Sequence, residues 1–276
     1  MDTIETKNRS KHDRIAAALG GIAILLRIAI AFAIGTTLLV GSARAALIQG
    51  TNDSDLLFGA DDDNLQNPLI QPAGASNQSL NNTDVMDGKN GDDVMIGLLG
   101  NDTMRGGRGN DVLVGGTEQF TQPNSDVMFG DEGDDVAVWR PGDGSDVFIG
   151  GRGTDALVMG AIDRDASNIP KIAPATGRYE KTGLPTADVT GQPGFCTLED
   201  VRGEKLGYDF LVRFFLKSTG ALAVTIRVAG VEQVFCTSQR AAAITFADLH
   251  DASPAFAEVS LDEVGDLNET VRQIIR

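Results

Sequence analysis

A nine-residue repeat in the middle of the chain constrains its fold more than any other feature. The units include GKNGDDVMI from Gly88, GLLGNDTMR from Gly97, GGRGNDVLV from Gly106 and GGRGTDALV from Gly150. The first six residues of each unit combine glycine with Asn or Asp, which form tight turns, and the last three centre on an apolar residue. One apolar side chain per unit cannot form a core alone, so neighbouring units must stack. The repeat therefore predicts a parallel solenoid of short strands.

An aspartate recurs at the sixth position of the unit, and stacking brings these carboxylates close together. They would repel strongly unless a cation lay between them. Calcium suits such turns because it accepts six to eight oxygen ligands, backbone carbonyls included, whereas magnesium demands stricter geometry and soft metals prefer sulfur or imidazole. We therefore expect several bound Ca²⁺ ions. The aspartates in phase are Asp55, Asp84, Asp93, Asp102, Asp111, Asp126, Asp135, Asp146 and Asp155.

Charge and motif content narrow the function classes. Residues 50–160 carry twenty acidic and five basic side chains, so this segment repels phosphate and nucleic-acid binding is disfavoured. The two histidines, His12 and His250, are far apart in sequence, which argues against a His-based zinc site or a His-dependent triad. GxSxG, HExxH and Walker motifs are absent from the sequence. We therefore expect no enzymatic activity.

The repeat resembles the RTX family of hemolysin-type calcium-binding repeats, whose signature GGxGxDxUx is matched in full by GGRGNDVLV and GGRGTDALV. The resemblance implies an all-β fold in which two nonapeptides form one coil of a parallel β-roll, with calcium between the turns on each side. It implies carboxylate ligands from the in-phase aspartates between Asp93 and Asp155. It also implies backbone carbonyl ligands near Gly91, Gly100, Gly109, Gly133 and Gly153.

Two irregularities interrupt the repeat. The insertion EQFTQP after Thr117 must either bulge from the roll or split it into two stacks. Asn64 stands where the unit GADDDNLQN needs an aspartate, so we expect weak metal binding at that turn.

Residues 1–45 have the character of a secretory signal peptide. A basic segment precedes an apolar run over 15–40, and Ala43 and Ala45 match an A-x-A cleavage site. The apolar run is long enough to cross a bilayer, so an uncleaved anchor is the alternative, although Arg27 opposes it. Cleavage predicts a secreted, extracellular protein. Retention predicts a cell-surface or periplasmic protein, and this is the one case in which a membrane is a partner. Family members exported by type I secretion generally lack such a leader.

The chain after the roll, residues 161–276, predicts a small β-rich cap with short helices. Residues 161–192 are rich in Pro, Ala, Thr and Gly and indicate a linker or irregular cap. LVRFFL and ALAVTIRV predict a hairpin that turns at residues 217–220, and ITFADL and LDEVGDLNETVRQIIR predict short helices. Cys196 and Cys236 predict one disulfide in an exported protein, or buried thiols in a reducing compartment.

The sequence leaves three functions open. The first is an exported calcium-binding protein whose roll, residues 46–160, folds on binding Ca²⁺. The second is a calcium-stiffened adhesion module, with a cell surface or a second copy of the chain as partner. The third is a secreted hydrolase or toxin with an unrecognised site in residues 161–276.

Overall fold

The computed structural model describes residues 47–59, 83–116, 125–165 and 169–275 of the chain. The predicted leader, Asn64 and the inserted segment EQFTQP lie outside these ranges. Within these ranges no helix has the length and the apolar character that crossing a membrane requires.

The repeat region forms a parallel β-roll, which confirms the predicted fold class. Each coil contributes one strand to a first sheet and one to a second sheet, and strands of successive coils pair in parallel. The first sheet contains β1 (Leu47–Gln49), β3 (Val85–Asn90), β5 (Thr103–Arg108), β7 (Val127–Glu132) and β9 (Val147–Arg152). The second contains β2 (Leu56–Phe58), β4 (Val94–Leu98), β6 (Val112–Gly116), β8 (Val136–Trp139) and β10 (Ala156–Met159).

The apolar residue at the eighth position of each unit fills the space between the two sheets. Side chains alternate across a strand, so this residue points inward when its two neighbours point outward. Burial of one such side chain contributes about 1.5–3 kcal/mol, and stacking repeats the contribution in every coil. The fully buried residues at this position are Met86, Met95, Met104, Leu113, Met128, Ala137, Phe148 and Leu157.

Irregularities in the repeat change the number of residues between paired strands and leave the register intact. Equivalent aspartates are 18 residues apart between Asp84 and Asp102, 24 between Asp102 and Asp126, and 20 between Asp126 and Asp146. Across the six-residue insertion β5 still pairs with β7, and β6 with β8. The alternative of two separate stacks is therefore wrong, because both sheets run through the insertion point without a break.

The C-terminal region extends both sheets of the roll. The sheet strands are β15 (Gly194–Asp200), β16 (Phe210–Leu216), β17 (Leu222–Ala229), β18 (Gln233–Thr237), β19 (Ile244–Asp248) and β20 (Ala257–Glu258). The order β9-β17-β16-β15 continues the first sheet, and β10-β18-β19-β20 continues the second. Cys196 on β15 and Cys236 on β18 form a disulfide between the two sheets, with their Cα atoms 6.1 Å apart.

Two predictions for this region have opposite outcomes. The predicted hairpin is confirmed, because β16 and β17 pair antiparallel on either side of residues 217–220. The predicted helix at ITFADL is wrong, since these residues form β19, which pairs antiparallel with β18. Burial alternates along β19, with Thr245 and Ala247 buried, and Ile244, Thr245 and Phe246 are residue types that favour strands, a preference that the helix prediction overlooked.

Residues 161–192 and the C-terminal helix cover the outer face of the second sheet. Val94, Ile96 and their equivalents on β6 and β8 are fully buried against this cover, in which Tyr179 and Val271 take part. The cover contains the short strands β11 (Ala161–Ile162), β12 (Ile172–Ala173), β13 (Leu184–Pro185) and β14 (Ala187–Asp188) and the 3₁₀ helix Gly177–Tyr179. A second 3₁₀ helix, Leu261–Glu263, precedes the helix α1 (Glu269–Ile274). These two elements confirm the short helices predicted for LDEVGDLNETVRQIIR.

Candidate metal centre

The sixth-position aspartates form two ladders that run along the roll. Before the last coil, the backbone N–H of each aspartate donates to Oδ1 of the equivalent aspartate one coil further on, as from Asp84 to Asp102 at 2.7 Å and from Asp93 to Asp111 at 2.8 Å. The first ladder, which precedes strands of the first sheet, contains Asp84, Asp102, Asp126 and Asp146. The second ladder contains Asp55, Asp93, Asp111, Asp135 and Asp155.

In five ladder residues the other carboxylate oxygen is buried and accepts no hydrogen bond from the described residues. Burial of a polar atom without a partner is costly, and such atoms are uncommon in folded proteins. Asp93, Asp102, Asp111, Asp135 and Asp155 each have an Oδ2 atom that accepts no hydrogen bond from the described residues. The fold therefore requires a ligand that neutralises the negative charge on these Oδ2 atoms.

A backbone carbonyl lies beside each of several orphaned Oδ2 atoms, across a space that only a glycine leaves open. A methyl group built on Gly88 would lie within 3.0 Å of both Asp93 Oδ2 and the Gly106 carbonyl oxygen. At Gly130 the corresponding oxygens are Asp135 Oδ2 and the Gly150 carbonyl. Calcium bonds oxygen at about 2.3–2.6 Å and accepts carbonyls together with carboxylates. The donor set and the space therefore fit a calcium ion.

The glycines whose carbonyls the family resemblance predicts as ligands lie in the same turns, at the fourth position of the repeat unit. They adopt positive φ, from 119° at Gly91 to 141° at Gly153, which side chains other than glycine rarely adopt. A Cβ at Gly109 would collide with the Gly91 carbonyl, so these glycines let one turn stack closely on the next. Gly100 and Gly133 occupy equivalent turn positions. Carbonyls of first-position glycines, such as Gly106 and Gly150, also lie beside the orphaned oxygens.

Burial makes the carboxyls of five ladder residues poor acids in the folded chain. Loss of solvent raises the pKa of Asp93 to about 7 and those of Asp102 and Asp111 to about 8. The pKa values of Asp135 and Asp155 also rise to about 8, chiefly through burial and additionally through neighbouring carboxylates. Near neutral pH the folded roll must therefore hold protons or cations at these positions.

A third carboxylate joins the first ladder at one point. Single oxygen atoms of Asp126, Asp143 and Asp146 all lie within 4.8 Å of one another, and all three residues are buried. Asp143 accepts hydrogen bonds of 3.1 Å from the N–H groups of Gly116 and Gly144. Burial raises the pKa of Asp126 well above its usual value, and repulsion by the other two carboxylates adds to the effect.

The sequence did not predict Asp143 as a metal ligand, and the structure alone brings it to the site. It stands at the third position of the unit PGDGSDVFI, where the unit from Gly88 has Asn90 and the unit from Gly106 has Arg108. The unit from Gly130 also has an acidic residue, Glu132, at this position, so the residue type there does not by itself indicate a metal ligand.

The fold and the site together define a parallel β-roll that stacks buried carboxylates beside backbone carbonyls. A family model described as the RTX calcium-binding nonapeptide repeat matches four copies, over residues 81–117 and 142–158. These segments are RTX calcium-binding repeats, and the resemblance seen in the sequence is confirmed. No curated protein and no solved structure matches the chain. The repeats imply that the protein binds Ca²⁺.

Proposed function

We propose that this chain is an exported, non-enzymatic calcium-binding protein whose roll folds when Ca²⁺ binds between its stacked turns. The observation that carries the proposal is the set of buried Oδ2 atoms that face backbone carbonyls and accept no hydrogen bond from the described residues. The ligands that we propose are the carboxylates of the two ladders, from Asp84 to Asp155, with the carbonyls of first-position glycines. Asp143 adds a further carboxylate at the Asp126–Asp146 step.

The coupling of folding to calcium follows from electrostatics. In the unfolded chain the aspartates are solvated and ionised near neutral pH, and folding without a cation would bury them as anions or force them to take up protons. A divalent ion held between coils removes that cost in the folded state alone, so its binding free energy adds to folding stability. Extracellular calcium modules bind at about 10⁻⁴–10⁻³ M, which would keep this roll loose in a calcium-poor compartment.

Export is supported by two features besides the predicted leader. RTX repeat proteins are generally extracellular or secreted, and the disulfide between Cys196 and Cys236 is typical of proteins that fold in an oxidising compartment. Mass spectrometry of the mature protein tests the route. A start at Ala46 supports a cleaved signal peptide, and a start at Met1 supports a retained anchor.

A calcium titration of the purified, calcium-free protein tests the proposal. Far-ultraviolet circular dichroism should gain β-sheet signal, and the emission of Trp139, which is buried against Phe214, should shift to shorter wavelength. Magnesium at the same concentrations should have a much smaller effect because it demands stricter octahedral geometry. Spectra that stay unchanged through several millimolar calcium would contradict the proposal. Clear turnover in a protease and lipase screen would contradict its non-enzymatic part.

A further inference from the structure

The second ladder continues beyond the last repeat into the C-terminal region. The parallel register of β10 and β18 pairs Ala156 with Gln233, which places Asp155 opposite Glu232. The Asp155 N–H donates to Glu232 Oε2 at 2.8 Å, as the Asp135 N–H donates to Asp155 Oδ1 at 2.8 Å. Glu232 is 77 residues further along the chain and lies outside the repeats and outside the matched family segments. A carboxylate from a different part of the chain thus occupies the next place in the ladder.

The space beside this junction has the same boundaries as those inside the roll. A methyl group built on Gly150 would lie 2.5 Å from Asp155 Oδ2 and within 3.0 Å of the Gly230 carbonyl oxygen. Inside the roll, Gly130 faces Asp135 Oδ2 and the Gly150 carbonyl in the same way. Gly230 therefore takes the place that the first glycine of a further repeat unit would hold.

The first ladder ends in a different manner. The register of β9 and β17 pairs Val147 with Arg227, so the residue opposite Asp146 is Ile226, which is apolar and fully buried. At this junction the described strands offer no carboxylate in the place that Glu232 takes on the second ladder. The continuation of the second ladder is therefore a property of Glu232 itself and not a general result of adding strands to the roll.

A hydrogen-bond cap alone does not account for Glu232. A neutral glutamine would accept the Asp155 N–H equally well, without placing a second negative charge beside a buried carboxylate. Asp155 is fully buried, and its Oδ2 accepts no hydrogen bond from the described residues. A cationic candidate among the described residues is His250, whose Nε2 is 3.9 Å from Glu232 Oε1 and whose side chain is 73% exposed. This exposed imidazole lies beside Glu232, and Asp155 Oδ2 still accepts no hydrogen bond from the described residues.

We propose that Asp155, Glu232 and the Gly230 carbonyl form a calcium site that joins the last repeat coil to the C-terminal strands. The inference rests on the proposed function, because it applies the same donor set to a place where no repeat follows. The site takes a hard divalent cation of the calcium class. Its ion fastens β18 to β10 and couples metal loading of the roll to the docking of residues 230–237.

The experiment counts bound calcium ions and their affinities, by native mass spectrometry and equilibrium dialysis, in the full mature chain. Glu232→Gln keeps a hydrogen-bond acceptor for the Asp155 N–H and removes the charge. Glu204→Gln is the matched control, because Glu204 lies on the exposed turn between β15 and β16. We expect Glu232→Gln to bind one ion fewer than the wild type, or to bind one ion at least about tenfold more weakly. Glu204→Gln should match the wild type.

Equal counts and affinities in the wild type and Glu232→Gln would overturn this inference and leave the proposed function standing. A wild type that binds no calcium would overturn both. Glu232→Asp is measured in parallel, so that the test holds if the glutamine variant fails to fold. The aspartate keeps the charge on a shorter side chain, and we expect the wild-type number of ions with one bound more weakly. Unchanged affinities in that variant would also overturn the inference.

Discussion

The most demanding prediction concerns the pH dependence of the calcium-free protein. Burial raises the pKa of Asp102, Asp111 and Asp135 from 3.8 to about 8. Because the folded-state pKa lies above the unfolded value, these carboxyls stabilise the fold fully below about pH 4. That stability is lost as the pH rises toward 8. Without calcium, the roll should therefore be more stable in mild acid than at neutral pH.

The magnitude follows from proton linkage. Each such carboxyl changes the free energy of unfolding by about 1.4 kcal/mol per pH unit between its unfolded and folded pKa values. Between about pH 5.5 and about pH 7.5 the loss is about 2.5 kcal/mol for each residue. With Asp93 and Asp155 included, the total is on the order of 10 kcal/mol. A typical domain has a stability of about 5–15 kcal/mol, so the calcium-free roll should be largely unfolded at neutral pH.

The assay is urea unfolding of calcium-depleted protein at the two pH values, followed by the emission of Trp139, the only tryptophan in the chain. The expected result is a folded baseline and a measurable midpoint in mild acid, and no folded baseline at neutral pH. Several millimolar calcium should restore the baseline at neutral pH. A calcium-free protein whose midpoint is equal at both pH values, or rises with pH, would refute the reasoning.

Three further results are expected. Gly88→Ala puts a methyl group within 3.0 Å of Asp93 Oδ2, so the variant should bind one calcium ion fewer than the wild type, whereas Gly203→Ala, at a glycine with open space around it, should bind the wild-type number. Equal numbers of bound ions in Gly88→Ala and the wild type would argue against the site. Replacing Cys196 and Cys236 by serine opens a loop of 40 residues and should lower the free energy of unfolding by about 4 kcal/mol. Denaturant titration of the calcium-loaded protein measures this loss, and an unchanged unfolding midpoint would contradict the prediction. Asp143→Asn removes one of three crowded carboxylates, so it should weaken calcium binding at one site and raise the melting temperature of the calcium-free protein in mild acid. A lower melting temperature of the calcium-free variant in mild acid would count against the repulsion between these carboxylates.

The roll could be predicted because its repeat determines two faces at once. The eighth residue, such as Met104, always points between the sheets, and the sixth, such as Asp102, always falls in the turn before a strand. Coil length does not enter this pattern, which is why the insertion after Thr117 leaves the pairing of β5 with β7 intact. The ladders follow from the period alone, whereas the identity of the carbonyls depends on turn geometry that residue types do not specify.

The C-terminal region could be predicted only in part, because its structure depends on pairing partners far away in the chain. ITFADL begins with three residues that favour strands, and pairing with β18 decides its structure. A signal for the covered sheet was present in the repeats themselves. The residues flanking the eighth position are Val94 and Ile96 on the second sheet but include Asp87 and Arg105 on the first. The outer face of the second sheet is therefore apolar throughout and needs a cover, whereas that of the first sheet mixes apolar residues such as Phe129 with polar ones.

Glu232 illustrates the limit of sequence reasoning more sharply. Nothing in the segment AGVEQ marks a metal ligand, and its importance comes entirely from the register between β10 and β18. A pairing between parts of the chain that are 77 residues apart cannot be inferred from a local pattern.

X-ray diffraction from crystals grown in calcium, with anomalous scattering to locate the ions, tests the central claim most directly. We predict anomalous peaks between successive coils, each bonded to the Oδ2 atom of a ladder residue such as Asp93 or Asp111 and to the carbonyl of a first-position glycine. An ordered roll with those oxygen atoms in the same places and no ion between them would contradict the account.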